Sequence, residues 1–456
     1  MAAPTTTGVS IAARLDRMPM TRMHWFAVGV IGLGLFFDAY ENFLAGTISA
    51  VLSKQFHLGG TELKWLLASA FIGQFLGALV MGRFADRVGR RRAFMINLAL
   101  YSAFSLIGAF SPNPMFLVVT RFFAGVGIGA EYALADSYLS DLLPKAVRGK
   151  YISLAYVVSF LGVPVVGFLA RWMTPLHAHV AGHAVDGWRL LFVFGALGSL
   201  AVWFVRRGLP ESPRWLEAHG RFDEAGAIVD RLEAQAVAAG HRLAEPDAAL
   251  RPVSFESISI LDLFRPPYAR RTVMLWVLSA LEVFGYYGFG TVAPLVLVAK
   301  GYTVQASLLF VALSYIGYPL GAALSLPIVE RIERKYLVIG SAGLMAVFGV
   351  WFGFAASATQ IVVAGFLYTC ASNLFSNAYH VYLADSYPTA IRGTAAGAAY
   401  SLSKIVTALL PFVLLPLLDS HGGGMVFAVV AVAMVLLMLN VAVLGHRSTG
   451  QSADAI

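Results

Sequence analysis

Twelve apolar runs, each long enough to cross a bilayer, follow one another along the chain. They cover residues 25–53, 61–83, 92–110, 115–140, 150–172, 188–206, 271–299, 304–329, 336–356, 359–384, 393–418 and 424–445. A membrane-spanning helix needs about 20 mostly apolar residues, whereas an outer-membrane strand has about 10 residues of alternating polarity. The runs predict an all-α polytopic membrane protein. Only 13% of the residues are charged, which excludes an ordinary soluble enzyme.

The distribution of lysine and arginine predicts how the twelve helices are oriented in the membrane. These residues are concentrated in the N-terminal segment, alternate short loops and the long loop after residue 206. Basic loops face the cytoplasm, so both termini and the long loop are expected there, in a multi-pass protein of the cell inner (plasma) membrane. The net charge of +8 follows from these loops, and nucleic-acid binding is not expected.

The chain repeats itself at a lag of 244 residues. The segment Asp141–Gly149 matches Asp385–Gly393, and the loop Asp86–Arg91 matches Glu330–Lys335. Two halves with the same orientation are related by an axis along the membrane normal. We therefore expect two pseudo-symmetric six-helix halves. The predicted division is a cytoplasmic segment at 1–24, one half at 25–206, a linker with amphipathic helices at 207–270, the other half at 271–445 and a tail at 446–456.

Three motifs carry a resemblance to a known family. The loop Gly82–Arg91 resembles the signature loop of the major facilitator superfamily, and Arg121–Gly129 is similar to its helix 4 motif. Pro210–Leu216 resembles a sequence of the clan that contains sugar porters, organic-ion transporters and metabolite or aromatic-acid:proton symporters. The resemblance implies the major facilitator fold and transport by alternating access. A Gln-Leu-Ser segment in helix 7 and a Pro-Glu-Thr segment after helix 12, both expected of a sugar porter, are missing from the sequence.

Ionisable residues inside the predicted spans are functional candidates, because a charge in the bilayer is costly. Asp38 and Glu41 are three residues apart and share a helix face. They resemble the acidic pair in helix 1 of aromatic-acid:proton symporters, and two neighbouring buried carboxylates can exchange a proton near neutral pH. In related carriers the position of Arg121 lies by the acid of helix 1, so the resemblance implies that Arg121 lies beside Asp38. Glu131 is either a proton relay or a structural acceptor. Proton coupling is thus predicted for Asp38, Glu41, Arg121 and Glu131.

Lys404 is the most informative residue for the substrate. A basic residue seven positions before Pro411 resembles organic-anion and aromatic-acid carriers, and a lone ammonium can receive a carboxylate or phosphate. The alternative is a permanent ion pair with Glu282 or Asp38. The predicted substrate-binding residues are Lys404, Glu282, Tyr286, Tyr287 and Tyr40. For each tyrosine, ordinary helix packing is the competing interpretation.

Two further polar residues occupy matching positions of the repeat. Asp136 is expected to have a structural role with the inner loop. For its counterpart His380, a structural hydrogen bond is the favoured role. At the inner ends of the helices, gating by a charge network is predicted for Asp86, Arg90, Arg148, Glu330 and Arg392. Asp86 should pair with Arg148 or Arg90 when the carrier is open outward.

The chain is interpreted as a secondary active transporter that moves a small organic anion, such as an aromatic acid, with a proton. Proton-coupled transport of a sugar or polyol, of phosphate or of an organic cation stays open. A channel or a non-transporting receptor fits less well, because neither a filter ring nor a re-entrant pore signature is evident. An enzyme is the least favoured class. No cofactor and no metal are expected, and the expected partners are a small-molecule substrate, protons and the lipid bilayer, with the chain as a monomer.

Overall fold

The computed structural model describes residues 10–180, 183–246, 260–329, 331–387 and 391–447. These residues form eighteen α-helices, one short 3₁₀ helix and a two-stranded antiparallel sheet. In chain order the elements up to the linker are α1 Ile11–Asp16, α2 Arg22–Thr47, α3 Ser49–Phe56, α4 Gly60–Val88, α5 Arg90–Ala109, α6 Pro114–Ile128, α7 Glu131–Leu142, α8 Arg148–Phe160, α9 Gly162–Met173, β1 His177–Val180, β2 His183–Asp186, α10 Gly187–Arg206, α11 Pro213–Ala218 and α12 Phe222–Ala238. After the 3₁₀ helix Ile260–Phe264 come α13 Ala269–Ala299, α14 Val304–Tyr315, α15 Gly317–Val329, α16 Arg334–Phe354, α17 Ala358–Asp385 and α18 Arg392–Leu444.

The membrane crossings are the long apolar helices. Eleven stretches of the described chain are long and apolar enough to span a bilayer. At about 1.5 Å per residue, α18 would extend roughly 80 Å, against a hydrocarbon core of about 30 Å. Gly422 interrupts it with φ of 75°, so α18 is two crossings. The prediction of an all-α membrane protein with twelve transmembrane helices is confirmed.

Two crossings are divided near the middle at a Gly-x-Pro sequence. Gly162 and Gly317 begin α9 and α15, with Pro164 and Pro319 in the first turn. The first N–H groups of a helix have no intrahelical partner, so proline is tolerated there. Each crossing thus has two segments, α8 with α9 and α14 with α15.

The halves repeat the same close helix contact. In the first half, a Cβ on Gly73 would lie 2.0 Å from the Phe122 carbonyl oxygen, and in the second a Cβ on Gly317 would lie 2.3 Å from that of Phe366. Gly77 meets Val126, as Gly321 meets Cys370, at 2.2 Å in both cases. Every one of these pairs is related by the 244-residue lag, so the internal repeat of the sequence is a repeat of helix packing.

Helices α1, α11 and α12 lie together at one end of the bundle, which we call the linker face. Arg14 of α1 forms ion pairs of 2.6 Å with Asp230 and Glu233 of α12. Asp16 accepts a hydrogen bond of 2.9 Å from Arg214 of α11. The hairpin β1–β2 lies at the opposite end, the far face, where Asp186 accepts a hydrogen bond from Gln55. The N-terminal helix is therefore docked on the segment that joins the two halves.

Candidate functional site

A cavity lies between the two halves. Its empty volume is about 500 Å³, including the part open to solvent. The lining is largely aromatic, and consists of Tyr132, Tyr156, Phe160, Glu282, Tyr286, Tyr287, Ser376, Asn377, Tyr379, His380, Tyr400, Ser403 and Lys404. Such a site suits a small ring-bearing molecule, because apolar walls with a few placed polar groups are the usual form of a ligand pocket.

Lys404 supplies the cation of this cavity. Its side chain is 1% exposed, and Nζ donates a hydrogen bond of 2.6 Å to the hydroxyl of Tyr287. The same atom lies 4.6 Å from the ring centroids of both Tyr287 and Tyr400. Glu282 lines the cavity and interacts electrostatically with Lys404, but no ion pair within 4.0 Å joins the two in the described chain. The aromatic rings hold the ammonium in a place that an anion can reach.

Tyr287 separates this cavity from a second one. The second cavity is lined by Asn42, Phe43, Ala45, Gly46, Leu67, Ala70, Phe71, Arg121, Tyr287, Gly290 and Thr291. The ring of Tyr287 packs edge-on against Phe71 and Tyr286, with centroids 5.2 and 4.8 Å away. The structure thus brings Glu282, Tyr286, Tyr287 and Lys404 together, as a substrate site requires.

Tyr40 does not join them. It is fully buried, and its hydroxyl donates a hydrogen bond of 2.9 Å to the carbonyl of Leu191 in α10. It is absent from the lining of both cavities. The structure therefore does not bring Tyr40 to either cavity, because its face of α2 packs inside the first half.

The buried charges of the first half form two ion pairs. Arg121 pairs with the carboxylate of Glu41 and also donates a hydrogen bond of 3.1 Å to the Glu41 carbonyl. Ser105 donates a further bond of 3.1 Å to the same carboxylate. Arg121 therefore contacts Glu41, and its expected pairing with Asp38 is not present.

The second pair joins Glu131 to Arg206 at 2.5 Å, and both are within 1% of full burial. Gly34 makes room for this arginine, since a Cβ there would lie 1.7 Å from Arg206 Nη2. The sequence prediction placed Arg206 at the last position of the first half, beside Arg207, and did not single it out as a candidate. Only the tertiary arrangement of the helices brings this arginine to Glu131 of α7.

Asp38 lies within the electrostatic reach of both pairs. Its carboxylate interacts with Glu131, Arg206 and Glu41. Within the described residues, Asp38 forms no ion pair within 4.0 Å although it is fully buried, and its polar neighbour is the hydroxyl of Tyr101. Of the acids Asp38, Glu41 and Glu131, Asp38 is thus the one that has no arginine as an ion-pair partner.

Three of the predicted gating charges, Asp86, Arg90 and Arg148, lie at the linker face. Asp86 accepts a hydrogen bond of 2.5 Å from Arg90, whereas Arg148 lies 3.7 Å from Asp16 instead. Asp86 also accepts, through its carbonyl, a bond of 2.9 Å from the indole of Trp215. Glu330 lies outside the described residues, and Arg392 begins α18 with a side chain outside that description.

The signature loop and the motif after α10 meet at one glycine. Gly89 has φ of 104°, a region that favours glycine, and a Cβ there would lie 2.4 Å from Glu211 Oε2. Glu211 Oε1 accepts a hydrogen bond of 2.9 Å from the backbone N–H of Arg91. The two motifs are therefore parts of one contact.

Comparison with known proteins agrees with this architecture. Residues 22–456 match the family described as "Sugar (and other) transporter". The putative metabolite transport protein YyaJ of Bacillus subtilis is 33% identical over 397 residues, which cover 86% of each chain. The niacin transporter NiaP of Acinetobacter baylyi is 30% identical over 449 residues, 98% of this chain and 100% of the relative.

The solved structures show the same fold. A partially occluded, inward-open structure of the xylose transporter XylE from E. coli superimposes with a TM-score of 0.75 at 20% identity, over 94% of this chain and 99% of that one. Family and relatives are transporters and not enzymes. The chain is therefore a multi-pass secondary transporter that belongs to the sugar (and other) transporter family of the major facilitator superfamily.

Proposed function

We propose that the protein carries a small organic anion, a carboxylate attached to an aromatic or heteroaromatic ring, together with a proton. The observation that carries this proposal is Lys404, a buried ammonium in a cavity walled by tyrosine rings. Its partners are the Tyr287 hydroxyl and two ring faces. A carboxylate that displaces these weaker partners gains a charge-assisted hydrogen bond, and its ring gains contact with the tyrosines.

The niacin transporter among the relatives supports the same substrate class, because niacin is a pyridine carboxylate. An arabinose-proton symporter of Bacillus subtilis is also related, at 24% identity. A neutral sugar has no charged group that could pair with the ammonium of Lys404, so the cavity favours an acid over a sugar. An organic cation is the second candidate, because Glu282 shares the cavity with the same rings.

Proton coupling is proposed for the buried acids of the first half. Asp38, Glu41 and Glu131 face two guanidinium groups, Arg121 and Arg206. One acid is left over, and neutralising it with a proton avoids a buried uncompensated charge. Asp38 is that acid in the proposal, with Arg121, Glu41 and Glu131 setting its surroundings.

The arrangement in the membrane belongs to the proposal as well. The linker face, which holds the basic N-terminal segment and α12, is placed in the cytoplasm, with both termini on that side of the inner membrane. Residues 25–206 and 271–445 rock as two units about the linker 207–270. Asp86, Arg90, Arg148, Glu330 and Arg392 bias this movement, and one chain suffices because the cavity lies within it.

Ligand-induced thermal stabilisation tests the substrate class. A ligand that binds the folded state raises its apparent stability by mass action. Aromatic carboxylates should raise the melting temperature of purified wild-type protein, and this shift should vanish in Lys404→Ala. Lys300→Ala, outside the cavity on the far face, is the matched control and should keep the shift. A shift with amines or sugars that survives Lys404→Ala would contradict the proposal and make Lys404 structural.

A further inference from the structure

Two pairs of residues around the cavity are related by the internal repeat. Asp136 and His380 are 244 residues apart, and so are Tyr156 and Tyr400. Three of the four, Tyr156, His380 and Tyr400, line the cavity. The two halves thus bring equivalent positions to one wall, with an acid in the first half and an imidazole in the second.

The first-half pair, Asp136 and Tyr156, forms a hydrogen bond within itself. The hydroxyl of Tyr156 donates a hydrogen bond of 2.8 Å to Asp136 Oδ1. The ring of the same tyrosine stacks on the ring of Tyr132, with centroids 5.9 Å apart and an interplanar angle of 11°. This side of the cavity therefore offers a ring face and a hydroxyl that is already engaged.

The second-half pair, His380 and Tyr400, forms no such hydrogen bond within the described residues. The imidazole of His380 stacks on Tyr156 at 6.2 Å and meets Tyr379 and Tyr400 at 5.2 and 6.5 Å between ring centroids. Within the described residues, its contacts are with rings, and neither ring nitrogen has a hydrogen-bond partner. The residue is partly exposed and lines the cavity. Its nitrogens are thus open to a molecule in the cavity.

The ring of Tyr400 neighbours both the imidazole and the ammonium. Lys404 Nζ is 4.6 Å from the Tyr400 centroid, and the His380 ring is 6.5 Å from it. A ligand that rests on Tyr400 can therefore reach Lys404 with one polar group and His380 with another. The two groups differ in chemistry, since an ammonium only donates hydrogen bonds, whereas a neutral imidazole has one donor and one acceptor nitrogen.

We propose that His380 is a specificity-determining residue, which hydrogen-bonds a polar atom of the substrate ring while Lys404 holds the carboxylate. This inference rests on the proposed function and adds a substrate class to it, heteroaromatic over carbocyclic acids. A carbocyclic acid leaves the His380 nitrogen without a partner in the closed cavity, and an unpaired buried polar group is costly. Discrimination by a site built to hydrogen-bond its substrate is large for this reason.

The test compares two ligands that differ at one ring atom, pyridine-3-carboxylate and benzoate. Binding to purified full-length protein is measured by titration calorimetry for wild type and His380→Phe, which keeps a ring against Tyr156 and removes both nitrogens. Wild type should prefer pyridine-3-carboxylate, and His380→Phe should weaken that ligand about tenfold or more while benzoate changes by less than about twofold. His421→Phe, at an exposed position of α18, is the matched control and should leave both affinities unchanged.

The outcomes separate the inference from the proposed function. If His380→Phe weakens both ligands equally, His380 only shapes the cavity, and if it weakens neither, His380 does not contact the ring. Either result overturns the inference while carboxylate binding stands. If wild type binds neither ligand, the proposed function fails and the inference falls with it. His380→Gln provides a folding-independent check, since its amide can restore a hydrogen bond and should recover part of the preference for the pyridine ring.

Discussion

At the scale of single residues, the protein buries several charged side chains within its membrane-spanning helices, where a charge has a high free-energy cost. Arg121 and Arg206 each neutralise one acid, Glu41 and Glu131, in pairs that are almost completely buried. Breaking a buried pair costs more than the pair contributes, because the remaining charge has no partner and no water. Asp38 sits next to both pairs and forms no ion pair of its own within the described chain. This imbalance is the physical basis for assigning the exchangeable proton to Asp38.

Asp38→Asn should abolish accumulation driven by a pH gradient, because a carboxamide cannot take up and release the proton. Exchange of substrate across the membrane without a gradient should continue, since the cavity around Lys404 is untouched. Uptake and counterflow in proteoliposomes measure the two activities separately. Asp419→Asn, an exposed aspartate of α18, is the control. Gradient-driven accumulation by Asp38→Asn would contradict the assignment.

Arg206→Met should destabilise the fold by about 3–5 kcal/mol, because it leaves Glu131 buried without its counter-charge. The double variant Arg206→Met with Glu131→Gln should recover much of this loss. Thermal unfolding in detergent, read as a double-mutant cycle, measures the coupling. Arg207→Met tests the neighbouring arginine, whose guanidinium packs 3.9 Å from the ring centroid of Trp203. Equal destabilisation by Arg206→Met and Arg207→Met would refute a special role for the buried pair.

At the scale of elements, short segments outside the membrane hold the helix ends in place. The loop between α4 and α5 needs glycine at position 89 because Glu211 occupies the space of a side chain. Helix α1 is too short to be stable alone, and its conformation depends on its ion pairs with α12. The linker and the N-terminal segment are thus one structural unit at the linker face.

The docking of α1 should weaken in acid. Partial burial of Glu233 opposes its ionisation, but hydrogen bonds from Arg14 and Arg17 outweigh this effect and lower the pKa of Glu233 below its ordinary value. A lowered pKa means that the stabilisation is present above the ordinary value of about 4.3 and is lost as the pH falls through the value in the folded protein. Hydrogen-exchange protection of residues 11–16, corrected for the intrinsic rate, should therefore decrease in acid.

Glu233→Gln should show the same loss of protection at neutral pH and little further change in acid. Glu224→Gln is the matched control, because Glu224 forms an exposed ion pair with Arg221 on the same helix. Protection that is insensitive to Glu233→Gln would mean that apolar contacts, and not the ion pairs, hold α1 on α12.

At the scale of the whole molecule, the two halves touch closely at the ends of the helices near the far face. A Cβ on Gly46 of α2 would lie 2.4 Å from the carbonyl oxygen of Gly290 in α13. Gly167 of α9 meets Ala312 of α14 at 2.8 Å by the same measure, and Arg171 donates a hydrogen bond of 2.9 Å to Gln305. Alternating access requires such a contact to form and to part within each cycle.

Gly46→Leu should block transport, because its side chain cannot fit against Gly290 and the far-face contact cannot close. Ligand binding should persist, since the cavity around Lys404 is separate from this contact. Gly29→Leu is the matched control on the same helix, where a Cβ would meet nothing within 4 Å. Counterflow in proteoliposomes and calorimetric binding provide the two readouts. Wild-type counterflow by Gly46→Leu would show that transport does not require this contact to close.

The membrane crossings and the internal repeat could be predicted from the sequence alone. Membrane helices must satisfy their backbone hydrogen bonds internally, so long apolar runs predict them without knowledge of the neighbours. The 244-residue lag likewise predicted two equivalent halves, and the helix contacts of Gly73 and Gly317 repeat at that lag. The sequence also predicted Lys404, Glu282 and Tyr287 as site residues, because ionisable and aromatic residues stand out in an apolar span.

Which charges meet and which rings face the cavity depends on how the helices pack together. Arg121 pairs with Glu41 and not Asp38, Arg206 reaches Glu131, and Tyr40 packs against α10. Residues one or three positions apart on one helix can face different neighbours, depending on how that helix rotates against the others. The sequence shows which side chains are charged. Their partners depend on packing between helices that are far apart along the chain.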